Sequence, residues 1–259
     1  MTAVPTIPLN DGAAIPQLGF GTWQVSDEAA FDAALEVGYR SIDTAAIYKN
    51  EEGVGRAIRR AIASGVPRED LFVTTKLWNT SHAYDKTMAA LDKSLTRLGL
   101  DYVDLYLIHW PVPAQDLYVE AWRALEKLQR DGKARSIGVS NFLPHHLERL
   151  LRETDVVPTV NQIELHPRYG RGDLKKLHAR HGIVTEAWSP IAQGGDLLSA
   201  EPVVAASQRL GKTSAQVILR WHLQSGHVAI PRSSRRERIA ENCAIFDFEL
   251  TAEEMAAIT

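Results

Sequence analysis

A regular alternation of short apolar runs with amphipathic stretches extends along the whole sequence, and it restricts the fold more than any other feature. Eight runs rich in β-branched residues are each followed by a stretch with helical periodicity. They recur at intervals of roughly 23 to 33 residues, with a last interval of about 44, which is typical of repeated βα units. This pattern predicts a (β/α)8 TIM barrel. The predicted strands are LGFGT from residue 18, SIDTA from 41, LFVTTKL from 71, DLYLIH from 104, RSIGVSN from 135, TVNQIEL from 159, IVTEAW from 183 and HVAIPRS from 227.

The segments between the strands have the periodicity of helices that pack on a sheet. In DLYVEAWRALEKLQRDGK, residues Leu117, Ala121, Leu125 and Leu128 fall on one helical face, and Gly132 follows as a C-terminal stop. The last interval contains two such patterns, so one of them is predicted to be an additional helix. The two patterns cover residues 201–210 and 213–224.

The sequence before the first strand, TIPLNDGAAIPQL, predicts a β-hairpin with an Asp-Gly turn that could close one end of the barrel. No low-complexity tract or block of charge interrupts the chain, and its 259 residues match the length of one α/β barrel. We therefore predict a single domain over residues 1–259.

The composition argues against several classes of protein. With 45% hydrophobic residues, 24% charged residues and a formal net charge of -3, the chain is globular and has no overall attraction to nucleic acid or anionic membrane. It contains neither a signal-peptide pattern nor an apolar stretch long enough to span a bilayer. The single cysteine, Cys243, fits a reducing compartment. We expect a cytoplasmic monomer that binds neither nucleic acid nor membrane.

One glycine motif imitates a nucleotide site. GFGTWQ, residues 19–24, begins like a dinucleotide-binding fingerprint, but Gln24 occupies the position of the third glycine and no helix follows at once. We interpret Gly19 and Gly21 as points where two backbones approach closely.

Two histidine pairs have the spacing of metal ligands, namely His145 with His146 and His178 with His181. No carboxylate or cysteine accompanies either pair in a coherent pattern. The sequence therefore predicts surface histidines on helices, and no metal site.

Ionisable residues occupy the ends of three successive predicted strands, where an apolar residue would be expected. Asp43 ends the second strand, Lys76 lies near the end of the third and His109 ends the fourth, while Tyr48 lies on the loop just beyond Asp43. The carboxyl ends of barrel strands converge on one face, so these four side chains are predicted to lie close together. Asp43 and Lys76 could be a buried ion pair that only closes the barrel end, since burial of either charge alone is costly.

The four groups together favour proton transfer. A phenol has a pKa of about 10, and a nearby cation is expected to lower it by roughly 1 to 3 pH units. Lys76 would be that cation, Asp43 would hold Lys76 in place, and Tyr48 would reach a substrate as a general acid.

These residues lie within segments that resemble the aldo-keto reductase family, especially its prokaryotic branch of diketogluconate reductases. The resemblance runs from about residue 5 to the end of the sequence and preserves the order and spacing of the segments. The segments are GFGTW, YRSIDTAAIYKNEEGVGRAI, FVTTKLW, YLIHWP, IGVSNF, NQIELHP, EAWSP and IPRSSRRERIAEN.

The resemblance implies a barrel that transfers hydride between a nicotinamide cofactor, NADPH, and a small-molecule carbonyl substrate. The family's catalytic tetrad matches Asp43, Tyr48, Lys76 and His109. Trp188 is expected to stack on the nicotinamide, and Ser140, Asn141 and Gln162 to hold its carboxamide. The residues implied for the rest of the cofactor site are Gly21, Thr22, Ser189 and Ile191 along the channel, and Arg232, Ser233, Arg238, Glu241 and Asn242 around the adenosine 2'-phosphate and the adenine.

Three tryptophans that follow barrel strands, Trp23, Trp78 and Trp110, suggest an aromatic substrate pocket, although each could instead pack under a loop. Two residues depart from the family pattern. Arg232 stands where lysine is usual, and Lys49 places a cation where a smaller residue is common, which could favour acidic substrates.

The arginines of PRSSRRER lie at the end of the eighth strand, where barrels often bind phosphate. Arg232 leaves the strand directly and Arg238 can lie on the same side of the following helix, whereas Arg235 and Arg236 could form only a solvated face. This cluster predicts a preference for NADPH over NADH of roughly 10-fold to 1,000-fold.

The function expected from the sequence is NADPH-dependent reduction of aldehydes and ketones, including α-dicarbonyls or keto-sugars. One alternative is a nicotinamide-binding regulatory or scaffold protein with negligible turnover. Another is an unrelated barrel enzyme, such as a sugar-phosphate isomerase, which would not bind the cofactor.

Overall fold

Eight parallel strands form the centre of the structure, a computed structural model that describes residues 4–259. The start of the predicted domain, residues 1–3, lies outside this range. All eight predicted strands are confirmed, and an N-terminal hairpin of two further strands precedes them as expected. The strands are β1 (Thr6–Pro8), β2 (Ala14–Pro16), β3 (Phe20–Gly21), β4 (Ser41–Asp43), β5 (Phe72–Leu77), β6 (Val103–Ile108), β7 (Ala134–Ser140), β8 (Val160–Glu164), β9 (Val184–Trp188) and β10 (Val228–Ala229).

The parallel strands pair in chain order from β3 to β10, so neighbours in sequence are neighbours in space. The sheet closes on itself where Leu18, just before β3, pairs with Ala229 of β10. The amide of Gly19 donates to the carbonyl of Ala229 at 2.9 Å, and that of Gly21 donates to the carbonyl of Pro231 at 3.0 Å. The predicted (β/α)8 barrel is therefore confirmed.

The two glycines at this seam are needed for closure. A Cβ on Gly19 would lie 2.9 Å from the hydroxyl of Ser41, and one on Gly21 would lie 2.9 Å from the carbonyl oxygen of Ile230. The neighbour of Gly21 is a backbone atom, which confirms the prediction of close backbone approach there, whereas the neighbours of Gly19 are the side chains of Ser41 and Ile230.

Helices follow the barrel strands and cover the outside of the sheet. The helices are α1 (Glu28–Glu36), α2 (Glu51–Ala63), α3 (Tyr84–Leu98), α4 (Tyr118–Arg130), α5 (Pro144–Glu153), α6 (Gly172–His181), α7 (Glu201–Leu210), α8 (Ser214–Gln224), α9 (Arg236–Cys243) and α10 (Ala252–Ile258). The predicted additional helix is α7, which packs on α8 and α10 in a hydrophobic cluster of its own. No helix within residues 4–259 is long and apolar enough to cross a membrane.

Candidate active site

Side chains of the barrel strands alternate between the surrounding helices and the barrel interior. Thr75 of β5 donates to Glu51 on α2 at 2.6 Å, and Thr185 of β9 contacts His178 on α6, so these positions face outward. The residues one position further along, Lys76 and Glu186, therefore face the interior. The same alternation directs Asp43 of β4 and Gln162 of β8 inward, and these four residues form what we call the barrel cluster.

An ion pair dominates the barrel cluster. The ammonium of Lys76 lies 2.5 Å from Oδ1 of Asp43 and donates at 3.1 Å to the carbonyl oxygen of Thr44, and both charged side chains are almost completely buried. Burial lowers the pKa of Lys76, but the charge of Asp43 and the other acidic groups nearby outweigh it, so the pKa lies above its ordinary value. Lys76 is therefore a fixed buried cation at neutral pH.

Tyr48 is placed beside this cation by a short, well-anchored turn. Residues Ala46–Tyr48 form one turn of 3-10 helix, and Lys49 ends it in the left-handed conformation with φ 57°. Asn50 then donates to the carbonyl oxygens of Thr22 at 2.9 Å and Val25 at 3.0 Å. The resulting position puts the Lys76 ammonium 5.3 Å from the centre of the Tyr48 ring.

The pKa of Tyr48 does not lie below its ordinary value, and the prediction that it does was wrong. Burial raises the pKa of the phenol, and although Lys76 lowers it, Asp43 raises it again, so the net shift is upward. The predicted effect of Lys76 has the right sign but is smaller than the cost of burying a phenolate. Tyr48 consequently carries its proton at neutral pH, as a proton donor must.

His109 directly follows β6 and faces both Tyr48 and Trp78 edge-on, with ring centres 5.7 Å and 5.3 Å away. Burial, aided by the charge of Lys76, lowers its pKa to about 3. The imidazole is therefore neutral at pH 7, and one ring nitrogen carries a hydrogen that can be donated to a ligand.

A second polar group lies beside the barrel cluster at the ends of β7 and β9. Asn141, in the left-handed conformation with φ 62°, donates to the carbonyl oxygen of His109 and to the hydroxyl of Ser140, both at 3.0 Å. The indole N–H of Trp188 donates to Oδ1 of Asn141 at 2.9 Å. An amide, a hydroxyl and a flat aromatic ring are thus held together next to His109.

The tryptophans lie around the mouth of the site. Trp78 is partly buried against His109, whereas Trp23 and Trp110 are each about two-fifths exposed. A cavity of about 510 Å³ is bordered by Trp110, Asn141 and Trp188. Tyr48 does not line this cavity, so the cavity extends the site beyond Tyr48.

The segment Pro231–Arg238, which we call the arginine segment, lies beside the first strand of the barrel. Arg232 lies over the ring of Trp23, with its guanidinium carbon 5.3 Å from the ring centre, and donates to Gln24 at 3.2 Å. Arg238 is exposed. Glu241 accepts a hydrogen bond from Thr213 at 2.9 Å. The remaining residues implied for the cofactor site are Gly21, Thr22 and Asn242, which are buried, and Ser189, Ile191 and Ser233, which are partly buried.

Comparison of the sequence with known protein families agrees with this geometry. The model of the family described as Aldo/keto reductase family matches residues 17–259.

The chain belongs to the aldo/keto reductase family.

Relatives and solved structures match this chain over nearly its whole length. The protein named methylglyoxal reductase DkgA from Escherichia coli K12 is 54% identical over 261 residues, which span 99% of this chain and 93% of that protein. An aldo/keto reductase structure from Brucella melitensis is 52% identical with a TM-score of 0.94, and covers 99% of this chain and 98% of its own. A Bombyx mori aldo-keto reductase in complex with NADP is 41% identical with a TM-score of 0.92, covering 100% and 92%.

Family membership makes the chain an oxidoreductase that acts on carbonyl groups. In this aldo/keto reductase, the strand ends and the turn after β4 bring together the four predicted tetrad residues, the three residues implied for the carboxamide, and Trp188. Gln162 belongs both to the carboxamide set and to the barrel cluster. The arginine segment does not take part in this network, and Arg232 contacts Trp23 and Gln24 instead.

Sequence reasoning missed Glu186. It lies in the strand IVTEAW, where an acid within an apolar run is the same signal that identified Asp43. It was overlooked because it lies two residues before the end of β9 instead of at the end.

The histidine prediction was wrong in part. His146 and His178 are buried, and His178 contacts Asn161 at 2.9 Å and Thr185 at 2.8 Å. Both lie inside the helix–sheet layer, which periodicity alone did not indicate. Both ring nitrogens of His178 have partners, whereas His146 accepts a hydrogen bond from the amide of Leu143 at Nδ1 and its Nε2 has no partner within residues 4–259. Within the part of the chain that the structure describes, no group of acidic, histidine or cysteine side chains could hold a metal ion.

Proposed function

We propose that the protein reduces aldehydes and ketones with NADPH, and that Tyr48 gives the proton. The observation that carries this proposal is the buried Lys76–Asp43 pair, 2.5 Å apart, next to a protonated phenol and a neutral imidazole. Structural ion pairs do not require a partly accessible phenol beside them. The combination fits general acid catalysis on the same barrel face where family members react.

The residues present suit the cofactor. An indole beside an amide and a hydroxyl, as in Trp188, Asn141 and Ser140, fits a flat ring that carries a carboxamide. Arg232 and Arg238 supply charge for a phosphate. The solved Bombyx mori relative is described in complex with NADP, which supports the same cofactor here. Reduced nicotinamide, when bound, supplies the hydride for the carbonyl carbon.

Protein groups would then manage the charge that develops on the carbonyl oxygen. Tyr48 donates its proton to that oxygen, and the fixed ammonium of Lys76 stabilises the phenolate left behind. Asp43 keeps Lys76 in position. Neutral His109 donates a hydrogen bond to the same oxygen and so orients the carbonyl.

The proposed substrates are small aldehydes, α-dicarbonyls and keto-sugars. The partly exposed Trp23 and Trp110 offer apolar walls, and the relatives named methylglyoxal reductase support a small dicarbonyl. Exposed Lys49, next to Tyr48, would favour substrates that also carry an acidic group. We further propose that the protein is a single-domain, cytoplasmic monomer, which size-exclusion chromatography with light scattering tests for its oligomeric state.

A panel of aldehydes, α-dicarbonyls and keto-sugars tests the function, with consumption of NADPH as the readout and product analysis by mass spectrometry as confirmation. Turnover of at least one substrate class is expected. NADPH binding without turnover of any substrate would favour the scaffold alternative, and no binding of either nicotinamide cofactor would refute the proposal.

A further inference from the structure

Glu186 is a buried carboxyl group that the mechanism above does not use. Its side chain points into the barrel from β9, and it contacts Gln162, its neighbour in register on β8. Gln162 belongs to a strand on the opposite side of the barrel from β4, and its amide nitrogen reaches across the interior to Asp43 at 2.8 Å. A second carboxyl is therefore connected to the ion pair through a single amide.

The hydrogen bonds leave this amide only one orientation. Its nitrogen donates to Oδ2 of Asp43 at 2.8 Å and to Oε2 of Glu186 at 2.9 Å, so both of its hydrogens point at carboxyl oxygens. A carbonyl oxygen in that place would face Oδ2 of Asp43 with no hydrogen between the two oxygens. Gln162 must therefore present its oxygen, an acceptor, to anything that binds beside it.

The two oxygens of Asp43 have different partners. Oδ1 contacts Lys76 at 2.5 Å and Oδ2 contacts Gln162. Within residues 4–259, Lys76 is the cation of the barrel cluster and contacts one of its two carboxyls, Asp43, while Glu186 acts on it through its charge alone. The cluster is neutral when Glu186 is protonated and carries one negative charge when Glu186 is ionised.

We propose that Glu186 is a positioning residue for carbonyl reduction, which orients Gln162 and, through its own charge, controls how strongly Lys76 stabilises the Tyr48 phenolate. This inference rests on the proposed function of Tyr48. The inference goes beyond the proposed function because it gives the barrel cluster two charge states, with Glu186 protonated or ionised, that differ in activity.

The change of charge falls near neutral pH. Burial and the charge of Asp43 raise the pKa of Glu186 to about 7, against smaller lowering effects of Gln162 and Lys76. The titratable groups that face it are Asp43 on β4 and Lys76 on β5, with Tyr48 and His109 beyond Lys76. The adjacent strands β8 and β10 contribute neutral Gln162 and Val228.

Ionisation of Glu186 weakens the acid. Its negative charge offsets part of the field of Lys76, so the phenolate of Tyr48 becomes less favourable and the proton is given up less readily. The rate of reduction should therefore fall as pH rises through about 7. Glu186 affects Tyr48 less than Lys76 and Asp43 do, so a modest fall of roughly threefold is expected.

The test compares Glu186→Gln with the wild type in single-turnover hydride transfer to one aldehyde, from about pH 6 to about pH 8. Single-turnover rates are used because product release often limits steady-state turnover. The wild type should show the fall, whereas the variant, which is neutral at every pH, should be flat over this interval. Glu186→Met is a second neutral variant and should also be flat over this interval, although it cannot accept the hydrogen bond from Gln162.

Glu126→Gln is the matched control, because Glu126 is also buried but lies on α4, outside the barrel, where it accepts a hydrogen bond from the amide of Val156 at 3.1 Å. It should keep the wild-type fall. A fall that persists in Glu186→Gln, or a rate lowered by the same factor at every pH, would overturn the proposal.

Thermal unfolding tests the ionisation without any turnover. The pKa of Glu186 is raised from 4.5 to about 7, so the associated stability is present below pH 4.5 and is lost as pH rises to about 7. The Tm of Glu186→Gln relative to wild type should rise by roughly 5 °C across this window, and that of Glu126→Gln should not. No relative rise would overturn the proposal, whereas a wild type that reduces no carbonyl would refute the proposed function alone.

Discussion

The barrel cluster and the arginine segment are both charged, but the protein holds them in opposite ways. Lys76 and Asp43 are 1% and 4% exposed and lie within a hydrogen-bonded network. Arg236 and its partner Glu36 are 61% and 58% exposed. Charges in the interior interact strongly because water cannot screen them, whereas surface charges interact weakly and through flexible side chains.

This difference suggests a division of labour. The buried group is preorganised before any ligand arrives, so it can stabilise charge that develops during a reaction. We propose that the exposed Arg232 and Arg238 adapt to a ligand and so distinguish one cofactor from another without affecting the fold. Substitutions in the two regions should therefore differ in size and in the property that they change.

The largest expected effect comes from removing the buried cation. Lys76→Met leaves Asp43 buried without its charged partner, which should lower the free energy of unfolding by roughly 3 to 5 kcal/mol and abolish most activity. Urea unfolding followed by circular dichroism measures the loss. Lys127→Met, which breaks the exposed Lys127–Asp131 pair, is the control and should cost less than about 1 kcal/mol. An unchanged unfolding midpoint for Lys76→Met would show that the buried pair contributes nothing.

Removal of the proposed acid should affect the reaction but not the fold. Tyr48→Phe keeps the ring that faces His109 and loses only the hydroxyl. Turnover should fall by about 100-fold or more, with NADPH affinity and Tm near those of the wild type. Near-normal reduction by the purified variant would exclude Tyr48 from the mechanism.

The fold and the grouping of the proposed catalytic residues could be predicted from the sequence for one physical reason. Acids and bases in otherwise apolar strands are costly unless they pair or function, so Asp43, Lys76 and His109 stood out. The repeat of βα units then fixed which end of the barrel they share.

Properties that depend on packing could not be predicted from the sequence in this way. The upward shift of the Tyr48 pKa depends on how completely the phenol is buried, and the burial of His146 and His178 depends on which face each helix presents. Gln162 connects Glu186 to Asp43 across the barrel, and Asp43 lies on a strand that is distant in sequence from the other two. Periodicity along the chain does not contain such information.

A smaller effect, on cofactor choice, is expected in the arginine segment. Arg232→Ala or Arg238→Ala should weaken NADPH by roughly tenfold and NADH much less, because NADH lacks the 2'-phosphate. Arg232 also lies over Trp23, so its removal tests whether that stacking matters for the substrate KM. Titration of both reduced cofactors by fluorescence measures the affinities. Equal losses for the two cofactors would show that these arginines do not recognise the phosphate.

The smallest effect is expected at Arg236, which sharpens the contrast within the arginine segment itself. Its guanidinium contacts Glu36 at 2.7 Å, and both side chains are more than half exposed, so the pair should contribute less than about 1 kcal/mol to stability. The contact also keeps the charge engaged with an acid on α1, away from the strand end where we propose that the phosphate binds. Arg236→Ala should therefore change the affinity for NADPH by less than about twofold. If its loss equals that of Arg232→Ala, the whole segment acts as one diffuse positive surface, and raising the salt concentration should then weaken NADPH binding to the wild type and to Arg232→Ala alike.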